Sequence, residues 1–411
     1  MNRERTIIVS GVFVTLCVMG AFAILSSTMS KSPVLNPFAT ALGTPAEWIG
    51  WVSAASTIPG ILVSLPAASL SDIYGRRKFL LLSGFVFASA PFMYLFIGVW
   101  WQLILVRFYH GFATAIFVPV AEASVAELFP QKKGERISLF TAATYVGRLV
   151  APLLGAAILV STNAGIPYTN FSVLYLVVGA AGVTAFVMTL LFFTERKHEA
   201  AVSDERPTSV IRHMFSGWSR ILFNRGAIIV SLVQACQYYA YGAFDFFLTG
   251  YLTVYLHYSL LIPGLIGTCI ILVALFVRPY MGRFSDRTGR RTPILLGCLT
   301  AAAPLFVIPF ITNFVALIFL AIVYGFGFAT TIAATSPMIC EVVPSGLTGA
   351  SMGFLDTTMD IGQTIGPIVS GFVFASSLGY TGVFPLLGAV ILFGGIAFAA
   401  SGIHTKKRET E

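Results

Sequence analysis

The chain has 411 residues, 57% hydrophobic and only 10% charged, with a formal net charge of +8. A soluble domain carries about 25% charged residues, and apolar stretches of about 18 residues or more recur along the whole length, the signature of membrane-spanning helices. Composition therefore excludes a soluble globular enzyme. The placement of the basic residues excludes a nucleic-acid binder, because 21 of the 25 Lys and Arg sit at the termini and in alternate connections, the pattern of a membrane protein oriented by its cytoplasmic positive charge.

Twelve spans are predicted, approximately 6–40, 46–70, 79–98, 101–129, 138–161, 171–194, 226–257, 261–281, 293–312, 314–340, 350–378 and 380–403. Each is near or above the ~20 residues needed to cross a bilayer. The first reads as a retained helix and not as a cleaved signal peptide. The only long polar stretch lies between the sixth and seventh spans. It divides the chain into a six-helix bundle over 1–194, a cytoplasmic linker over 195–225 and a second six-helix bundle over 226–403. A cytoplasmic tail follows over 404–411, and a short interfacial helix is expected around 214–223. Both termini are predicted to be cytoplasmic, with Lys31 alone on the outer connections. Short loops point to a prokaryotic inner membrane, and the expected state is a monomer.

The halves repeat. "SDIYGRRK" at 71–78 returns as "SDRTGRRT" at 285–292, so Asp72, Gly75, Arg76 and Arg77 map onto Asp286, Gly289, Arg290 and Arg291, 214 positions on. The same offset maps Glu127 onto Glu341 and Gly111 onto Gly325. Gly75 and Gly289 suit tight turns between helices. Two parallel six-helix repeats about an axis normal to the membrane are a transporter design.

Within the spans, charges are costly and mark functional candidates. Arg107 lies about seven residues into the fourth span, where it is either a structural partner or part of proton coupling. Asp356 and Asp360 are four apart, and so share one face of the eleventh span. Gly362 and Gly366 lie on the other side, which sets the glycines against a neighbouring helix and the aspartates toward a pathway. Asp245 lies midway along the seventh span and Glu122 on the fourth. These four acids are proton-coupling candidates in the order Asp360, Asp356, Asp245 and Glu122, or else structural partners of Arg148 or Arg107. Tyr238, Tyr239, Tyr241, Phe244, Phe246 and Phe247 cluster on the seventh span. They are either an aromatic cavity for amphipathic compounds or ordinary packing. The five Cys show no metal spacing, no cofactor or metal site is expected, and no hydrolase or metalloenzyme motif occurs.

These motifs resemble those of the major facilitator superfamily, along essentially the entire chain. The loop motif G-x-L-x-D-x-x-G-R-[KR] is met by "GRFSDRTGRR", with Phe284 in place of Leu, and by "ASLSDIYGRR", with Ala68 in place of the first Gly. "RFYHG" in the fourth span is similar to R-x-x-Q-G, with His110 in the Gln place. "GRLVAPLLGAA" in the fifth, with Gly147, Pro152 and Gly155, resembles the G-x-x-x-G-P-x-x-G-G motif of antiporters, with Ala at two Gly positions. "GQTIGPIVSG" in the eleventh, with Gly362, Gly366 and Pro367, repeats it. The resemblance implies an all-α fold of twelve helices in two pseudo-symmetric six-helix bundles. It implies alternating access, with Asp72 and Asp286 each facing a helix N-terminus of the opposite half. Arg76 and Arg290 would then pair with Glu127 and Glu341 as a cytoplasmic latch. The glycines and prolines of the fifth and eleventh spans would be flex points. The repeat also maps Lys31 onto Asp245, and the two are expected to form or share an outer gate. The reading that follows is a proton-coupled exporter of small organic or amphipathic compounds. The alternative is a proton-coupled importer or facilitator of a sugar, carboxylate or other metabolite.

Overall fold

The computed structural model describes residues 3–165, 168–193, 220–344 and 347–403, with side chains described from Gly11 onward. The described residues form fourteen α-helices and no strands. They are α1 (Arg3–Met29), α2 (Leu35–Ala41), α3 (Ala46–Ala54), α4 (Ile58–Tyr74), α5 (Arg76–Met93), α6 (Trp100–Leu128), α7 (Lys133–Ser161) and α8 (Ser172–Phe192) in the first half. In the second half are α9 (Arg225–Gly250), α10 (Leu261–Thr288), α11 (Arg291–Val307), α12 (Phe314–Val342), α13 (Thr348–Ala375) and α14 (Gly379–Ala400). Eleven segments are long and apolar enough to cross a membrane, and α13 makes a twelfth. Its acidic pair lowers its mean hydropathy, while its 28 residues still exceed the ~20 needed to span.

Two predicted spans are interrupted. The first ends as a long helix at Met29, and a turn over 30–34 leads into the short α2. The second divides into α3 and α4 at 55–57, with Pro59 near the start of α4, where a missing N–H costs nothing. The interfacial helix expected around 214–223 lies, apart from its last four residues, outside the described residues, as do most of the linker and the tail.

The chain groups into two compact units, Met1–Gly43 with Ala55–Arg212, and Thr44–Ala54 with His213–Glu411. In the first, Phe87, Phe117, Phe140 and Leu16 are buried in a core shared by α1, α5, α6 and α7. Glycines set the helix spacing there. A Cβ on Gly147 would lie 2.1 Å from the Ala21 carbonyl oxygen, and one on Gly182 would lie 2.0 Å from that of Phe87, so α1 with α7 and α5 with α8 meet backbone to backbone.

The second unit repeats the device. A Cβ on Gly362 would lie 2.2 Å from the Ala235 carbonyl oxygen and one on Gly366 2.0 Å from that of Tyr239, closing α13 on α9. Ala21 and Ala235 are 214 positions apart, so the repeat read from the loop motifs extends to helix contacts. Helix α3 belongs to this unit through Gly50, whose Cβ would sit 2.1 Å from the Pro367 carbonyl oxygen. The first part of the second span thus packs on the eleventh, while the rest of that span belongs to the first unit.

Candidate functional site

The loop motif folds the same way in both units. Gly75 ends α4 with φ +99° and Gly289 ends α10 with φ +88°, a region that favours glycine over any residue with a Cβ. The turn carries Arg76, the first residue of α5, back against the end of α4. Its Nε and Nη2 donate to Glu127 Oε1 at 3.1 and 2.6 Å, its Nη1 donates to the Ala68 carbonyl at 3.0 Å and to Ser71 Oγ, and Asp72 completes the cluster. Arg290 does the same with Glu341 at 3.0 and 2.8 Å, Ser285 Oγ at 3.0 Å and Asp286 at 2.5 Å. Burial alone would lower the Arg290 pKa, but hydrogen bonds and charge from Glu341 and Asp286 outweigh it and hold the guanidinium above its ordinary value.

Arg77 and Arg291 turn elsewhere. Arg77 Nη2 donates to the Leu190 carbonyl at 3.0 Å and Arg291 Nη2 to the Ala399 carbonyl at 2.9 Å. Each therefore caps the last turn of the sixth or twelfth span, where unsatisfied carbonyls and the helix dipole favour a cation. The motif's second arginine thus fastens a different helix in each half.

Arg107 is 2% exposed. Its Nη1 and Nη2 donate to Ser30 Oγ at 3.4 Å and Ser56 Oγ at 2.5 Å. His110, in the Gln place of the motif, exchanges a hydrogen bond of 3.3 Å with the Tyr94 hydroxyl, and Tyr94 stacks on Tyr175 at 4.2 Å. Neither Arg107 nor Arg148 has a carboxylate within ion-pairing distance among the described residues. Hydroxyls surround the first, and the Tyr145 ring lies under the second at 5.4 Å.

On α13, Asp356 is exposed and Asp360 half-buried, while Gly362 and Gly366 face α9. Asp245 on α9 and Glu122 on α6 are half-buried. The aromatic cluster of α9 is packing for the most part. Phe244, Phe246 and Phe247 are buried, and Tyr238 and Tyr241 lie against Phe328 of α12 at 5.2 and 4.8 Å.

Two features escape the sequence reading. Arg278 lies half-buried inside α10, an intramembrane charge that should have been singled out with the others. Gln234 and Gln237 of α9 bond Thr335 and Thr331 of α12, at 2.6 and 3.1 Å, in a buried polar ladder. The signal was present as Gln and Thr pairs one helical turn apart in apolar spans.

This architecture, with its doubled loop motif, agrees with the comparisons. The family model "Major Facilitator Superfamily" matches residues 9–263 and 230–411. The chain belongs to the major facilitator superfamily. The superfamily's members are membrane transporters of small molecules, and this protein is a multi-pass membrane protein of that kind. It is 23% identical to the "Multi-drug resistance efflux pump PmrA homolog" of Lactococcus lactis, over 91% of this chain and 90% of the relative. It is 25% identical to the "Multidrug resistance protein MdtG" of Proteus mirabilis, over 84% and 83%. Among solved structures, the nucleoside transporter NupG superposes with a TM-score of 0.75 at 14% identity, covering 95% of this chain and 98% of that one. That likeness concerns the fold.

Proposed function

We propose that this major facilitator transporter is a proton-coupled exporter of small organic or amphipathic compounds, working by alternating access. The observation that carries the reading is Asp356, an exposed carboxylate inside a spanning helix, four residues from the half-buried Asp360. A carboxylate held at such depth is expensive unless it works, and exchange of a proton for cargo is the work an antiporter needs. One relative is named a multi-drug resistance efflux pump and another a multidrug resistance protein, which favours export. In this scheme Asp360, Asp356, Asp245 and Glu122 carry the proton in that order of preference. The two Arg–Glu–Asp clusters form the cytoplasmic latch, where Asp72 and Asp286 also dock on helix N-termini of the opposite half when that side is closed. Lys31 and Asp245 form the outer gate. Gly147, Pro152, Gly155, Gly362, Gly366 and Pro367 supply the flex of the fifth and eleventh spans. The protein acts as a monomer in a prokaryotic cell membrane with both termini in the cytoplasm.

A second reading, a proton-coupled importer or facilitator of a metabolite, is favoured by one feature: the first predicted span, 6–40, offers Lys31 and no acid. Proteoliposomes containing a pH-sensitive dye separate the two. A panel of drugs and metabolites is added to the wild type and to Asp360→Asn. A compound that moves opposite to the proton flux it drives in the wild type, a flux lost in the variant, supports the exporter, whereas compound and protons moving the same way support the importer. Flux that survives the substitution moves the proton to Asp356, Asp245 or Glu122. Counterflow without any proton movement removes the exporter reading.

A further inference from the structure

We propose that Arg148 binds an anionic group of the transported compound, a carboxylate in particular. Arg148 is the sixteenth of the 29 residues of α7, and so sits at mid-span. Helical periodicity of about 100° per residue places it on the inward arc of that helix. Measured from Gly147, the buried residues Thr144, Gly155, Leu159 and Pro152 fall between about 60° and 140°, and Arg148 falls at about 100°, in their midst. The exposed apolar residues Val146, Val150 and Leu153 occupy the opposite arc, about 240° to 300° from Gly147. Arg148 therefore points away from the lipid-facing side, yet it is half-exposed where its neighbours on that arc are buried.

An interior guanidinium at bilayer depth needs a counter-charge or water. None of the described carboxylates pairs with it, and the Tyr145 ring lies under it at 5.4 Å. Arg107, the other interior cation of the first unit, is a contrast. It is 2% exposed and bonded to two serine hydroxyls, so it is built in as a structural charge. Arg148 keeps a planar fork of donors available, with an aromatic ring beneath it to hold its plane. That geometry matches a carboxylate held through two parallel hydrogen bonds.

The inference rests on the transporter reading for its cargo, but its test does not depend on proton coupling. Purified full-length protein in detergent is titrated calorimetrically with a panel of aromatic and aliphatic carboxylates, each paired with its primary amide. The wild type is expected to bind one or more carboxylates at least ten-fold more tightly than the matched amides. Arg148→Gln is expected to erase that preference and leave amide affinity within three-fold of the wild type. Arg148→Lys, the more conservative change should the glutamine variant fold poorly, is expected to retain the preference in weakened form, because an ammonium keeps the charge and loses the fork. The proposal is overturned if no carboxylate in the panel outbinds its amide. It is also overturned if Arg148→Gln keeps the preference, or if the substitution weakens carboxylate and amide equally. Binding needs no gradient, so a facilitator that moves no protons would still show the preference, and an exporter selecting neutral or cationic compounds would not.

Discussion

At the scale of single residues, Arg76 and Arg290 do more than balance charge. Each spreads its donors over a glutamate, a serine hydroxyl and an aspartate, a geometry only a guanidinium reaches. The arginine side chain is 10% exposed in the first cluster, while its partner Glu127 is 43% exposed. Half-exposed partners keep the coupling below that of a fully buried pair, at about 1–2 kcal/mol per cluster. Arg76→Lys is therefore expected to lower the melting temperature and to reduce transport about ten-fold, because a point charge cannot hold the three partners together. Reconstituted transport with parallel thermal unfolding checks this; full activity in the lysine variant would reduce the latch to a simple anchor. The raised pKa of Arg290 adds a second test. A raised folded value gives stability that is fully present below the unfolded pKa and disappears only as pH climbs through the folded one, far above the physiological range. The melting-temperature gap between wild type and Arg290→Gln should accordingly match at about pH 6 and about pH 9. A gap that closes at the alkaline end would mean that Arg290 is not the group holding the cluster.

At the scale of helices, the close crossings rest on glycine. With a Cβ 2.0 Å from the Tyr239 carbonyl, Gly366→Ala has to push α13 off α9, and overpacking of this kind costs about 1–3 kcal/mol. Gly11→Ala, on α1 with nothing within 4 Å, is the matched control and should leave the unfolding temperature unchanged or slightly raised. Equal melting curves for the two variants would show that α13 can shift without penalty. The sequence announced these elements unevenly. Spans of about twenty apolar residues are visible because the bilayer sets their length, and Gly362 and Gly366 are visible because small residues four apart form one contact stripe. The break between α3 and α4 was marked only by Pro59 and Gly60, since "AASTIPG" is otherwise apolar enough to continue a span, and the packing of α3 on α13 was not visible at all. Arg77 and Arg291 likewise read as members of the cytoplasmic latch, and their bonds to the Leu190 and Ala399 carbonyls were not visible because those partners lie over a hundred residues away.

At the scale of the whole molecule, the repeat brings three sets into correspondence: the latch clusters at an offset of 214, the glycine crossings to within one residue of it, since Gly147 and Gly362 are 215 apart, and the pair Lys31 and Asp245 at 214 again. The first two sets match like with like, as expected of two halves that perform the same closure. The third matches a cation with a carboxylate, and a symmetric design has a use for such an exchange where the halves must recognise each other and not merely repeat each other. If these residues form the outer gate, each single reversal leaves two like charges competing for one place, a repulsion that low-dielectric surroundings sharpen. Lys31→Asp and Asp245→Lys are each expected to cut counterflow by about ten-fold or more. The double reversal is expected to recover to within a few-fold of the wild type, with an interaction energy of about 1–3 kcal/mol in the cycle. Because the double reversal keeps the same two charges in exchanged places, its recovery reports their pairing once flux is normalised to reconstituted protein. A double mutant no better than either single would leave Asp245 free for proton transfer alone and place the outer gate on other residues.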